Sequence, residues 1–91
     1  MWTLDAILDL LSNWHQRATY GAVGGVLGIN PQSLMGGQPL DPRHSWVVNK
    51  KTGDPTGYTP AQCDAQLYAR TTILTTEAVL IAWLNNPVAR P

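Results

Sequence analysis

Six of the eight glycines fall between Thr19 and Gly37, and that segment restricts the fold more than any other part of the chain. Thr19 is an N-capping residue, and Ala22, Val23, Val26 and Leu27 share one face of the helix it would open. Gly21, Gly24 and Gly25 each weaken such a helix by roughly 1 kcal/mol relative to alanine, so it forms only where packing compensates. Small residues there let another helix or a ligand backbone approach closely. Gly28 is a natural helix stop. Asn30-Pro31 pairs an N-cap with a first-turn proline and predicts a short third helix from Pro31 to about Met35, ending at Gly36-Gly37. Two helices joined by a tight glycine-containing turn make either a helix-turn-helix or an ordinary helical corner. In the first reading the second helix is the recognition helix.

The flanking segments set the rest of the expected architecture. Leu4, Ile7, Leu8, Leu11 and Trp14 form one apolar stripe at helical spacing, with Thr3 as N-cap and Asp5 near the positive end of the helix dipole. His15 then sits at that helix's negative end. Gln38 to Arg43 holds two prolines and reads as a loop. Ser45-Trp46-Val47-Val48-Asn49 is rich in strand formers. Lys50 to Gly57 is dense in turn residues, and Tyr58 begins a candidate return strand. A strand-turn-strand in this place would be a wing. Thr59-Pro60 opens a candidate helix through Cys63, Leu67 and Tyr68. Thr71 to Leu74 reads as extended, and Thr75 or Thr76 caps a last helix with Ala78, Val79, Ile81, Ala82 and Leu84, stopped by Asn85-Asn86-Pro87. The expected fold is therefore α+β: a small, mostly helical, winged-helix-like domain, with a helix-turn-helix plus a short β-hairpin wing. No internal repeat or linker divides residues 1–91, so they read as one domain.

Composition narrows the partners. Hydrophobic residues make up 44% and charged residues 13%, with six Lys+Arg against six Asp+Glu. The zero net charge argues against gripping nucleic acid by bulk charge. The charges are unevenly placed, however. From His15 to Lys51 four basic residues (Arg17, Arg43, Lys50, Lys51) face one acid, Asp41, while the other acids lie on the first helix and downstream. No apolar run reaches the roughly 18 residues of a membrane span. The first residues, with an acid at Asp5 and no basic cluster, do not read as a signal peptide, so a cytoplasmic location is expected. Cys63 is the one cysteine; it has no partner for a disulfide or a metal site and reads as a small buried hydrophobe. Asp41, Asp54 and Asp64 form no pair at metal-ligand spacing. No metal and no cofactor is expected.

The order of these words resembles the O6-alkylguanine-DNA alkyltransferase domain. Arg17-Ala18-Thr19-Tyr20-Gly21 leading into Val23-Gly24-Gly25-Val26-Leu27-Gly28 is similar to the family's Thr-Tyr-Gly segment at the start of its helix-turn-helix. Ser33 to Gly37 is similar to its short recognition helix. Ser45-Trp46-Val47-Val48-Asn49 with Thr52-Gly53 is similar to its active-site strand and glycine turn. The resemblance spans roughly residues 4–84 and rests on order and spacing more than on any single motif. It departs from the family at two places. The family's acceptor cysteine precedes a His-Arg-Val-Val segment. With Val47-Val48 as the anchor, His44 stands at the cysteine and Ser45 at the histidine. With His44 at the histidine, Arg43 stands at the cysteine and one residue is inserted later. Both registers remain open, and neither supplies the thiolate that alkyl transfer requires. The pattern therefore resembles the alkyltransferase-like proteins, which bind alkylated DNA without the cysteine, and no enzymatic activity is expected. The second departure is the arginine that takes the flipped base's place in the stack. Here Gln32, Ser33 and Leu34 occupy that region, and Leu34 or Met35 would have to wedge instead.

The resemblance implies duplex DNA as partner, with an alkylated guanine as the lesion, and a repair protein to receive it. The expected DNA contacts are Tyr20, Gln32, Ser33, Arg43, Lys50 and Lys51. Tyr20 would touch a phosphate, or else pack on the first helix. Lys50 and Lys51 would neutralise phosphates, or else solvate the turn. Arg43 would reach a phosphate or a base, or else stay a surface arginine. His44, Ser45 and Trp46 would line the lesion pocket, with Trp46 stacking on a base or filling the core. The alternative function is a winged-helix protein-interaction module that has lost lesion binding.

Overall fold

The computed structural model describes residues 2–86, so Pro87, part of the expected stop of the last helix, lies outside the described residues. Helix α1 (Leu4–Trp14) forms as its stripe dictates. Thr3 Oγ1 accepts the Ala6 N–H at 3.2 Å, and Ile7, Leu8 and Leu11 are fully buried. The helix ends on His15, held in the left-handed region at φ 52°. A short strand β1 (Arg17–Thr19) follows and runs straight into helix α2 (Tyr20–Leu27). Thr19 caps α2 through its hydroxyl, which accepts the Ala22 N–H at 3.1 Å and donates to the Thr75 carbonyl at 3.2 Å. Gly28 terminates α2 at φ 69°, and Asn30-Pro31 starts helix α3 (Pro31–Leu34).

The glycines of α2 act as close-approach sites. A Cβ on Gly24 would lie 2.6 Å from the Ile29 carbonyl oxygen, and one on Gly25 would lie 2.6 Å from Glu77 Oε1. The first turn of helix α4 (Glu77–Leu84) therefore rests directly on α2.

The sheet overturns the expected winged-helix architecture. Strands β2 (Val47–Val48) and β3 (Ile73–Leu74) both pair with β1, and both pairings are parallel, in the order β2-β1-β3. Ala18 stands opposite Val47 on one side and Leu74 on the other. The fold is α/β, with helices between strands of an all-parallel three-stranded sheet, and there is no hairpin wing. Parallel neighbours cannot be joined by a tight turn and need a long crossover. The turn-rich segment after β2 accordingly leads into the long connection towards β3. Its only regular element is a 3-10 turn at Pro60–Gln62, in place of the helix expected from Thr59-Pro60. The expected strand at Ser45–Trp46 is likewise the end of a 3-10 turn, Pro42–Trp46, leaving two strand residues.

Central strand β1 carries a buried arginine. Arg17 is 7% exposed; its guanidinium donates to the carbonyls of Gly53 (2.9 Å) and Arg70 (3.0 Å) and lies over the Tyr68 ring. Gln16 donates to the Thr72 carbonyl at 2.8 Å. These contacts fasten the long crossover to the sheet, and the apolar core closes around Ala18, Trp46, Leu67, Leu80 and Leu84. Among the described residues no helix is long and apolar enough to cross a membrane.

Candidate nucleic-acid interface

The α2 N-terminus puts Tyr20 where three depressions meet. Its half-buried ring walls an apolar cleft of about 450 Å³ together with Pro31, Gln32, Met35, Gly36 and Thr56. It also walls a cleft of about 500 Å³ with Gly21, Asn49, Lys50, Lys51 and Thr75. The third is a recess of about 80 Å³ shared with Met35, Leu40, His44, Thr56 and Tyr58. The Thr56 backbone N–H donates to the Tyr20 hydroxyl at 2.8 Å. That bond uses the oxygen as acceptor and leaves the phenolic proton for another partner.

Lys50 and Lys51 stand on a tight turn built by its own backbone. Asn49 Oδ1 accepts the Lys51 N–H at 2.8 Å, and the Asn49 carbonyl accepts the Gly53 N–H at 2.8 Å. Gly53 needs its positive φ of 72° there, a conformation costly for a residue with a Cβ. Both lysines are exposed.

His44 is 7% exposed, and its Nδ1 lies 2.6 Å from Asp41 Oδ1. Asp41 caps the 3-10 turn, its carboxylate also accepting the His44 N–H at 3.0 Å. The His44 hydrogen bond holds the Asp41 carboxyl below its ordinary value. The Tyr58 hydroxyl donates to the Asp41 carbonyl at 3.1 Å, and burial, with Asp41 nearby, pushes it up to about 12.

The structure thus gathers Tyr20, Gln32, Lys50, Lys51 and His44 around one ring. The other expected site residues lie elsewhere. Arg43 donates to Asp9 (2.7 Å) and Asp5 (3.2 Å) on α1, and the Asp9 contact foremost raises its guanidinium above the ordinary value. Ser33 is exposed but belongs to none of the clefts around Tyr20. Ser45 is fully buried; its hydroxyl donates to the Pro42 carbonyl at 2.6 Å and accepts the Asp64 N–H at 3.1 Å. Trp46 is fully buried in the core, with its ring stacked on His15 at 5.9 Å. Of the two proposed wedges, Leu34 is in the core at 4% exposure, while Met35 lines the cleft and the recess.

Sequence reasoning passed over Thr56, Tyr58 and Asp41. Asp41-Pro42 carries the same cap-then-proline signature as Asn30-Pro31 and would have marked the turn that presents His44. Nothing local distinguishes Thr56 or Tyr58, because a distant crossover brings them to Tyr20.

Cys63 lines a separate cleft of about 420 Å³ with Asp54, Tyr58 and Tyr68. Burial foremost, then Asp54, pushes its thiol up. Among the described residues no group of acidic, histidine and cysteine side chains is placed to hold a metal ion. No family model, curated protein or solved structure matches the chain.

Proposed function

We propose that this chain is a non-enzymatic, cytoplasmic DNA-binding protein of the alkyltransferase-like kind, taking duplex DNA with an extruded O6-alkylated guanine and passing it to a repair partner. The observation that carries the reading is the position of Tyr20, which walls the cleft of Lys50 and Lys51, the apolar cleft of Pro31 and Met35, and the recess of His44 alike. Phosphate neutralisation and base uptake need to sit that close together, because the nucleotide's backbone and its flipped base are one sugar apart. Unstacking a base costs a few kcal/mol, least for a damaged one, and the cleft's apolar wall supplies a surface to offset it.

The charge available is small. Arg17 is buried and Arg43 is occupied by α1, so Lys50 and Lys51 carry the phosphate contacts. Binding is then weak and salt-sensitive unless the lesion adds affinity. A non-enzymatic role accords with the raised Cys63 thiol, held as a poor nucleophile in a cleft that does not include Tyr20 or His44.

The test is a titration with duplexes carrying O6-methylguanine or plain guanine at two salt concentrations. Tighter binding of the modified duplex supports the reading. Equal binding leaves a general DNA binder, and no binding at low salt removes the proposal. One feature favours the protein-interaction reading instead: α4 bears a single charge, Glu77, and leaves Val79 47% exposed. An absence of DNA binding would turn attention there.

A further inference from the structure

We infer that His44 selects the ligand of the Tyr20 cleft by accepting a hydrogen bond from an exocyclic amino group on a flat heteroaromatic base, the 2-amino group of a purine. The inference rests on the nucleobase reading above and specifies which edge of the base is read.

The two ring nitrogens of His44 differ in their partners. His44 Nδ1 is 2.6 Å from the Asp41 carboxylate oxygen. A carboxylate can only accept, so Nδ1 carries a proton, and in the neutral form of the ring Nε2 is then an acceptor. Among the described residues nothing bonds Nε2. It is also not one of the sealed, unpartnered buried atoms, which are Arg17 Nε and Trp46 Nε1. His44 is more than nine-tenths buried, yet keeps one accessible ring nitrogen, and the residue lines the recess.

The shape around it sets the ligand. The recess of about 80 Å³ and the cleft of about 450 Å³ share Tyr20, Met35 and Thr56 as walls. The larger space admits a ring between Tyr20, Met35 and Pro31, whereas the recess holds only a small substituent. An acceptor in a largely apolar site discriminates by donor: a ligand without one leaves a buried polar nitrogen unpaired, and that loss exceeds the gain from a matched pair. Asp41 acts through His44 as a positioning residue. Its carboxylate fixes the tautomer, and its hydrogen bond with the His44 N–H fixes the ring's height.

The test uses O6-methylguanosine and 6-methoxypurine riboside, which differ only in the 2-amino group, first as free nucleosides and then within a duplex. Nitrogen NMR of the full chain should show a protonated Nδ1 and an unprotonated Nε2 at His44. O6-methylguanosine should move the Nε2 resonance and bind about tenfold more tightly than its partner, the span of one hydrogen bond. Asp41→Asn, whose Oδ1 can still accept from both the backbone N–H and Nδ1–H of His44, should keep that preference, whereas Asp41→Ala, which releases the tautomer, should lose it. The free nucleosides separate a metabolite ligand from an extruded base: preference seen only in the duplex assigns the site to DNA. Preference for the free nucleoside without duplex binding removes the DNA reading and keeps this one. A protonated Nε2 in the free protein, or equal affinity for the two bases in every form, overturns the inference.

Discussion

Arg43 Nη2 donates to Asp9 Oδ1 across 2.7 Å and ties the 3-10 turn before β2 to helix α1. Asp5 completes the clasp through its carboxylate and its carbonyl. The carboxylates are largely exposed, at 84% and 65%, so the clasp is worth about 0.5–1 kcal/mol and weakens with salt. Arg43→Ala should lower the denaturant midpoint by that small amount. It should leave DNA affinity and its salt dependence unchanged, which a parallel binding titration checks.

The glycines of α2 are not equivalent. A Cβ at Gly21 would meet nothing within 4 Å, whereas one at Gly24 would press on the Ile29 carbonyl at 2.6 Å. Gly21→Ala should therefore stabilise the fold, by up to about 1 kcal/mol from helix propensity alone. Gly24→Ala should destabilise it by about 1–3 kcal/mol, because a backbone oxygen cannot step aside cheaply. Urea unfolding of both variants decides this, and equal effects would contradict the α2–α3 packing.

Trp46 is a core residue in this fold, with no exposed surface. Trp46→Ala should cost about 3–5 kcal/mol, and Trp46→Phe distinctly less. If Trp46 stacked on a base instead, Trp46→Phe would change DNA affinity at unchanged stability, a result the structure does not allow.

Asp41 gives the fold a dependence on acid. Its carboxyl lies below the ordinary value of 3.8, chiefly through the hydrogen bond with His44. The unfolded chain therefore takes up this proton at higher pH than the folded one. The stability due to Asp41 is complete above the ordinary value and is lost as pH falls through the folded one. Comparing wild type with Asp41→Asn by chemical unfolding at a series of pH values should show a gap at neutral pH that closes on the acid side. A gap that persists in acid would contradict the assignment.

Much of the local structure was legible because its signals are local. The Leu4–Trp14 stripe, the caps at Thr3, Thr19 and Asn30, and the stop at Gly28 all depend on a few adjacent residues, while Thr75 and Thr76 offer equal cap chemistry and Thr76 takes the role. The sheet was not legible. Strand β1 has three residues, all buried, and β2 and β3 have two each, too few to show alternation. Without β1 in view, Val47-Val48 and the turn residues after it suggested a hairpin. The site divides the same way. Tyr20, Gln32, Lys50, Lys51 and His44 could be named from sequence words, but the commitments of Arg43 to α1 and of Ser45 and Trp46 to the interior depend on partners far along the chain.

In the proposed mode of binding, Lys50 and Lys51 neutralise phosphate while the Tyr20 cleft takes the base. The most direct test of that mode is the salt dependence of duplex binding for wild type and for the Lys50→Ala/Lys51→Ala double variant, with O6-methylguanine and plain duplexes. With two phosphates neutralised, log K should fall against log salt with a slope of about −2, and the slope should approach zero in the double variant. In wild type the alkylated duplex should bind more tightly than the plain one. No binding of either duplex at low salt, or the same slope with both lysines removed, would contradict the account.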